Sequence, residues 1–297
     1  MHDRFPALVL RRPFACTLIP AVITLAVALP AALAQQPEEN FQRSFTLNPG
    51  GTLRVENFKG TIHVTGSNTR QMVVNVVKRF EGGSESDRKW WMENTKVTFS
   101  NDSSRVAVKV DYPSRSCILC WTEHDFTDAV ELEIQAPLRT NLDLEGFKPD
   151  IRISSVEGEV RIKSYKAPMS IESTTGAIHI DTYKDVIRLK NVAARGALDV
   201  HSFKADTEID VKSLQGSARL ETDKGRIVLR VPRDLGLDVD YAGGRHSGFH
   251  SDFPLNVQAG ERWGHQDVRA NINGGGAHVV LRTEKGSVSI EKRAGEL

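Results

Sequence analysis

An aromatic residue followed by lysine recurs at near-constant spacing in the middle of the chain, and this pair combines two kinds of binding chemistry. The stretches GFKPD (146–150), SYKAP (164–168), TYKDV (182–186) and SFKAD (202–206) follow one another at 18 or 20 residues, and NFKGT (57–61) is an upstream echo. Aromatic faces pack on sugars or other planar groups, whereas a row of lysines attracts anions. The candidate ligand surface comprises Phe147, Lys148, Tyr165, Lys166, Tyr183, Lys184, Phe203 and Lys204.

The aromatic–lysine pairs also fit a purely structural role. In a repetitive β fold, the rings would close the corners of the apolar core, while the lysines keep those corners soluble and discourage pairing with other chains. The spacing is compatible with both interpretations. If the pairs bind a ligand, the expected partner is an anionic glycan or another cell-envelope polymer, and an envelope protein is the other candidate.

A second group of residues has the chemistry of metal ligands. Cys117, Cys120 and His124 occur as C-x2-C-x3-H, which could supply three soft ligands to zinc or copper, with Asp125 or Asp128 as a fourth. Two neighbouring cysteines in an oxidising compartment form a disulfide by default. The sequence therefore favours a Cys117–Cys120 disulfide over a metal site, and it predicts no cofactor.

Two further residue pairs fit structural roles. His246 and His250 lie in GGRHSGFHSDF (243–253), and their spacing of four would join both to one metal ion only on a helix. The surrounding glycines and serines predict a loop instead. Trp90 and Trp91 follow GGSESDRK, where they fit either a partner-facing patch or a cap over one end of the repeats. We favour the cap.

Enzymatic activity would require clustered catalytic groups. Asp181, Glu221 and Asp240 are expected to share an outward column, but alternating basic neighbours explain them as a charge ladder. The sequence contains no nucleophile elbow, phosphate loop or zinc-protease motif. A carbohydrate-active enzyme, a polysaccharide lyase or hydrolase on a β-helix scaffold, is the alternative to a binding module, and no catalytic residue is predicted.

The first 34 residues have the pattern of an export signal. Arg4, Arg11 and Arg12 precede a charge-free run over 14–34 that ends in Ala-Leu-Ala, so Gln35 is the expected mature N-terminus. An uncleaved N-terminal membrane anchor is the alternative, and membrane association is expected only in that case. We expect an exported protein, periplasmic or at the cell surface. Without the leader the formal charge changes from +1 to −1, which argues against general nucleic-acid binding.

Short strands must position all of these residues. From Asn141 onward, apolar residues two positions apart recur at steps of 9 or 11 residues, and examples are Leu142/Leu144, Ile151/Ile153, Val160/Ile162, Met169/Ile171 and Ile178/Ile180. A spacing of two is the period of a strand with one buried face, and a fixed short repeat indicates a solenoid. We expect residues 35–297 to form one β-strand-repeat domain, with 81–130 as an insert that carries the cysteines.

Two observations indicate that each repeat contains two strands. Glycine precedes alternate strands by two positions, at Gly158, Gly176, Gly196 and Gly216, which suits corners with a positive φ angle. Stacking every second strand also gives an outward column that largely alternates in charge: Asp143, Arg161, His179, Asp199, Arg219 and Asp238. The predicted fold is all-β, a flattened β-solenoid with two short strands per coil of 18–20 residues, and a β-sandwich is the alternative.

The two ends of the repeat region resemble a known family. GGTLRVENFKGTIHVTG (50–66) is similar to the opening, and HSDFPLNV (250–257) with NINGGGAHVVLRTEKGSVSIEK (271–292) to the closing segment, of the exported putative-adhesin β-strand-repeat family. Glycines, Asp252-Phe253-Pro254 and alternating apolar residues carry the resemblance. It implies a β-helix-like, adhesin-like domain at the cell envelope, and it brings no catalytic residues.

Overall fold

The computed structural model describes residues 38–113, 126–258 and 266–294, and this part of the chain is all-β apart from one helix. The predicted leader lies outside the described residues. The described part contains no helix of the length and apolar character needed to cross a membrane. The elements in chain order are β1 (Glu38–Thr46), β2 (Gly51–Glu56), β3 (Lys59–Ser67), β4 (Gln71–Gly82), α1 (Glu85–Asn94), β5 (Lys96–Asn101), β6 (Arg105–Asp111), β7 (Phe126–Pro137), β8 (Thr140–Gly146), β9 (Lys148–Ser154), β10 (Val160–Lys166), β11 (Met169–Glu172), β12 (Thr175–Gln215), β13 (Ala218–Val231), β14 (Leu237–Ser251), β15 (Asn256–Gln258), β16 (Gln266–Ile272) and β17 (Ala277–Lys292).

From β8 to β13, strands pair in parallel with the strand one repeat away along the chain. Strands β8, β10 and β12 are neighbours in a register that aligns Leu142, Val160 and Ile178. Strands β9, β11 and the next part of β12 form a second series, in which Ile151 is aligned with Met169 and Met169 with Ile187. Each repeat of the chain therefore contributes two strands, one to each series, as the alternating glycines predict.

The apolar pairs of the repeats form the buried core. Side chains of a strand alternate between its two faces, so residues two apart point the same way. Val160, Ile162, Ile178 and Ile180 are at most 3% exposed, and they belong to one continuous apolar cluster. Burial of each such side chain contributes roughly 1.5–3 kcal/mol to folding. This term holds the repeats together, because a single repeat cannot bury its own apolar residues.

Two repeats lie out of chain order. Strand β2 lies between β6 and β8, and β3 lies between β7 and β9. Near the other end, β17 lies between β13 and β14. The repeat formed by β2 and β3 thus lies between strands of the 81–130 segment and the later repeats. The repeat formed by β17 likewise lies between β13 and β14, although it follows both in the chain.

This insertion corrects two columns expected from the sequence. Arg219 has Val280 as its neighbour, whereas Asp238 is aligned with His278. Likewise Glu221 is aligned with Arg282, so Asp240 does not share its column. The expectation was wrong because it extended the chain order beyond β13, where β17 intervenes.

Antiparallel strands terminate the parallel pairing at both ends. Strands β1 and β4 pair antiparallel beyond β7, and β5 pairs antiparallel with β6. At the opposite end β16 pairs antiparallel with β14 and with β15. The described parts of the 81–130 segment therefore belong to the same sheet. Helix α1 is N-capped by Ser84, whose side chain and Asp87 form a capping box.

Candidate ligand-binding surface

Five aromatic side chains form a continuous face-to-face stack at one corner of the repeats, which we call the aromatic ladder. The ring centroids are 4.6–4.9 Å apart and neighbouring planes differ by 1–12°, in the order Phe58, Phe147, Tyr165, Tyr183 and Phe203. The stack follows from the register, because each ring lies one strand spacing from the next. The structure thus brings together the four aromatic residues of the predicted surface. Phe58 joins them through the echo NFKGT, whose distance in sequence concealed its position beside Phe147.

Stacking changes which part of each ring is available to a ligand. Four ring-to-ring contacts use the faces of the ladder, Tyr112 packs against Phe58 at 6.3 Å, and Lys224 Nζ lies 5.3 Å over the ring of Phe203. Tyr165 and Tyr183 are nonetheless each 41% exposed. Their exposed parts are consequently ring edges and hydroxyl groups, and a sugar cannot stack on their faces as the sequence suggested.

The lysines beside the ladder form a row that is longer than predicted, which we call the lysine column. Lys59 is aligned with Lys148, Lys166 with Lys184, and Lys224 with both Lys204 and Lys285. Seven lysines at the strand spacing of about 4.8 Å extend over about 29 Å. Sequence comparison of the pairs missed Lys224 and Lys285 because Asp223 and Glu284 precede them instead of an aromatic residue.

Most lysines of the column form no ion pair with a described carboxylate, although Asp185 and Asp206 line the same corner as Lys184 and Lys204. Lys59 Nζ forms an ion pair with Asp128 Oδ1 at 2.5 Å, and within the described ranges the other six lysines form none. The ammonium groups of Lys148 and Lys224 instead lie over the rings of Phe147 and Phe203 at 5.4 and 5.3 Å. Like charges directly opposite one another on neighbouring strands repel. The row of aligned lysines is therefore a candidate site for an anion.

On the outward faces of the strands, by contrast, basic side chains contact carboxylates. Arg54 contacts Asp143 of the neighbouring strand at 2.7 Å, and it also contacts Glu56 and Glu145 at 2.8 and 3.1 Å. A hydrogen bond to Glu56 and the charge of Asp143 raise the pKa of Arg54. His179 Nδ1 lies 3.2 Å from Asp199 Oδ2 of the next repeat. The predicted column is confirmed for Asp143, Arg161 and His179, which are aligned in this order.

The backbone is tightly constrained at the corner that carries the lysine column, which we call the lysine corner. The residue after the lysine is glycine at Gly60, Gly225 and Gly286, with φ of 100, 138 and 145°. A Cβ atom on Gly286 would lie 1.9 Å from the carbonyl oxygen of Gly225. Asp185 has a φ of 130° at the equivalent position, which is strained for a residue with a side chain. The corner therefore holds the lysines in a fixed register.

A buried tyrosine fixes the start of the ladder. The Tyr112 hydroxyl accepts the backbone N–H of Val130 at 3.0 Å, and it lies 2.7 Å from the carbonyl oxygen of Lys59 and 3.0 Å from Asn57 Oδ1. Burial raises the pKa of Tyr112, so the hydroxyl keeps its proton and can donate to one of these oxygens. These bonds anchor the segment that carries Phe58 and Lys59.

The other candidate residues are not brought to this surface. Cys117, Cys120, His124 and Asp125 lie outside the described residues, and the described residues contain no group of three metal-ligating side chains. The loop predicted around His246 and His250 is wrong, because both lie in β14, where a bulge between Gly243 and His246 preserves pairing with β17. Four residues along a strand are about 13 Å apart, too far for one metal ion.

Both tryptophans pack against the apolar core. Trp91 is 2% exposed and packs on Phe80 and Tyr112, with centroid distances of 5.8 and 6.5 Å. Trp90 is partly buried against the same core. Helix α1 thus contributes apolar cover to the described part of the 81–130 segment.

Solved structures similar to this chain are described as adhesins. A putative adhesin from Bacteroides fragilis aligns over 86% of this chain and 97% of its own, with 10% identity and a TM-score of 0.40. A putative cell adhesion protein from Clostridium sporogenes aligns over 86% and 100%, and a putative adhesin from Parabacteroides distasonis over 86% and 97%, each with 9% identity and a TM-score of 0.35. No protein-family model and no curated protein matches the chain. The descriptions agree with the resemblance inferred from the sequence, and at these TM-scores they carry no argument about function.

Proposed function

We propose that the protein is an exported, non-enzymatic, adhesin-like module that binds an anionic polymer of the cell envelope through its lysine column. The proposed architecture is a flattened β-solenoid with two strands per coil. Parallel register at 18–20 residues supports it, because a coil of that length returns each side chain to the same column one strand spacing further on. The export pattern of residues 1–34 supports a location in the periplasm or at the cell surface.

The single observation that carries the binding proposal is the unpaired lysine column. Six lysines lie on successive neighbouring strands without an ion pair to a described carboxylate. Repulsion between them costs free energy in the free protein, and a polymer with regularly spaced anions would remove that cost on binding. A row of about 29 Å suits an extended polymer better than a small anion. An anionic glycan or similar envelope polymer is therefore the proposed partner, ahead of an envelope protein.

The aromatic ladder has a supporting part in this function. Its stacked faces hold the corner rigid, and offset or parallel aromatic contacts contribute about 0.5–1.5 kcal/mol each beyond area burial. A rigid row of charges loses little conformational freedom when a ligand binds. The non-enzymatic part of the proposal rests on the outer faces, where the carboxylates of Asp143 and Asp199 contact Arg54 and His179 of neighbouring strands.

Co-sedimentation of the purified protein with cell-wall sacculi and with anionic and neutral polysaccharides tests this function. The test variant replaces Lys148, Lys166, Lys184 and Lys204 by alanine. The control replaces four exposed cations of the strand faces, Lys163, Arg188, Lys212 and Arg219, so that the net charge changes equally. At about 0.5 kcal/mol per surface charge pair, the test variant should bind an anionic polymer roughly 30-fold more weakly.

The control variant should retain most of the affinity, and binding by the wild type should weaken with salt. Equal losses in the two variants would show that net charge alone, and no particular surface, attracts the polymer. Absence of binding by the wild-type protein would overturn the proposed function.

A further inference from the structure

Two tyrosines occupy the middle of the aromatic ladder, and their hydroxyl groups differ from those of the other tyrosines. The Tyr112 hydroxyl is bound by Val130, and the Tyr241 hydroxyl donates to Ser247 Oγ at 2.8 Å. The hydroxyls of Tyr165 and Tyr183 form no hydrogen bond with any described residue, and both side chains are 41% exposed. These two hydroxyls are therefore free to bind a ligand.

The ladder places the two hydroxyls in a row that runs parallel to the lysine column. The rings of Tyr165 and Tyr183 are 4.8 Å apart with planes 7° from parallel, so the hydroxyls repeat at nearly the same distance. Each tyrosine immediately precedes a lysine, and Lys166 is aligned with Lys184. Phe147 and Phe203, which flank this pair, contribute no hydroxyl. The middle of the strip thus has both charge and neutral hydrogen-bonding groups, whereas its flanks have charge alone.

We propose that Tyr165, Lys166, Tyr183 and Lys184 form a subsite that selects a linear carboxylated glycan over polymers that carry only charge. This inference rests on the proposed function and specifies its ligand. Lys166 and Lys184 bind carboxylates on successive sugars, while the phenolic hydroxyls hydrogen-bond to the sugar hydroxyl or ring oxygens. The polymer lies along the stacking direction of the strands, because both rows run that way.

A carboxylated glycan is favoured because the ligand must supply both an anion for each lysine and a hydrogen-bonding group for each tyrosine hydroxyl, at the same spacing. A polyphosphate or a polypeptide of glutamates presents regular charge but no hydroxyl groups, and a neutral polysaccharide presents hydroxyl groups without charge. A carboxylated glycan presents both on each sugar, so it can engage both rows along its length. The rings are held between neighbours on each side, at 4.6 and 4.9 Å, so the hydroxyls are pre-positioned and cost little entropy to engage.

Affinity measurements with three probes test the subsite: polygalacturonate, poly-L-glutamate of matched charge and length, and neutral dextran. The wild type should bind polygalacturonate most tightly and dextran most weakly. The variant Tyr165→Phe/Tyr183→Phe keeps the stacking and removes both hydroxyls. Since one neutral hydrogen bond is worth roughly a 3- to 10-fold change in affinity, polygalacturonate binding should weaken about 10- to 100-fold, with poly-L-glutamate unchanged.

A gain-of-function variant provides the matched control. Phe147→Tyr/Phe203→Tyr extends the row of hydroxyls by one rung on each side, so it should increase the preference for polygalacturonate over poly-L-glutamate. An unchanged preference in the Tyr→Phe variant, or an equal loss for both polymers, would overturn the subsite and leave anion binding by the lysine column intact. Failure of the wild type to bind either anionic polymer would instead overturn the proposed function.

Discussion

The lysine corner and the outward faces of the strands are built by the same repeats, yet they arrange charge in opposite ways. On the faces, Arg54 and His179 contact carboxylates on neighbouring strands at 2.7 and 3.2 Å. At the corner, Lys166, Lys184 and Lys204 follow one another with no such partner among the described residues. Alternating columns stabilise the pairing of repeats, whereas a column of one sign opposes it. The difference indicates that the faces serve the fold, and it is the basis for proposing that the corner binds a ligand.

The largest expected effect comes from changing the backbone of the corner itself. Gly286→Ala would place a Cβ 1.9 Å from the Gly225 carbonyl oxygen at a φ of 145°, so we expect a loss of about 3 kcal/mol or more in the free energy of unfolding. Gly248→Ala is the control, because its Cβ would have no heavy atom within 4 Å, and it should change stability by less than about 0.5 kcal/mol. Urea unfolding measures both. Similar small effects of the two substitutions would mean that the corner backbone is not constrained.

On the strand faces, Arg54→Ala should remove a favourable cross-strand contact. Arg54 contacts three carboxylates and its side chain is 30% exposed, so we expect a loss of about 1 kcal/mol that shrinks at high salt. Arg219→Ala provides the comparison, since Arg219 is exposed and lies between Asp199 and Val280 without an ion pair to a described carboxylate. It should cost less than about 0.5 kcal/mol. Equal losses in urea unfolding would contradict a stabilising role of the charge pairs.

Asp185 offers a test of strain within the lysine corner. Its φ of 130° is one that Gly60, Gly225 and Gly286 adopt at equivalent positions, so Asp185→Gly should raise the free energy of unfolding by about 1 kcal/mol. The gain is limited because the hydrogen bond from Val186 N–H to Asp185 Oδ1, 3.0 Å long, is lost. Ala205→Gly, two strands further on, should lower stability by roughly the same amount. A loss in both variants would show that the Asp185 side chain stabilises this corner.

The periodicity of the apolar residues predicted much of the fold, because residues that recur at this spacing are the ones that are buried. Leu142, Val160 and Ile178 are aligned as their spacing requires, and Phe147, Tyr165 and Tyr183 stack for the same reason. The insertion of β17 before β14 could not be predicted, because its inner residues Val279 and Leu281 fit any parallel neighbour equally well. That ambiguity produced the wrong neighbour for Arg219.

The candidate surface was predicted in part for a similar physical reason. The aromatic–lysine pairs identified four rungs, but register alone extends the column to Lys224 and Lys285, which have acidic residues where the others have rings. Whether a ring uses its face for a ligand or for another ring depends on the distance between strands in space. Neighbouring strands lie about 4.8 Å apart, so the rings of the repeat stack on one another at 4.6–4.9 Å and their faces are closed to a ligand.

The smallest expected effect is a change in the free energy of unfolding whose sign should differ between the lysine corner and the strand faces. Lys166→Ala/Lys184→Ala removes two like charges from adjacent rungs, so stability should stay constant or rise by about 0.5 kcal/mol at low salt, and the difference should disappear at high salt. Lys190→Ala is the matched control, because Lys190 contacts Glu172 at 3.3 Å and its loss should lower stability slightly. Urea unfolding at two salt concentrations measures these changes. If removing Lys166 and Lys184 cost as much as removing Arg54, the lysines would be structural partners, and the contrast that assigns the corner to a ligand would fail.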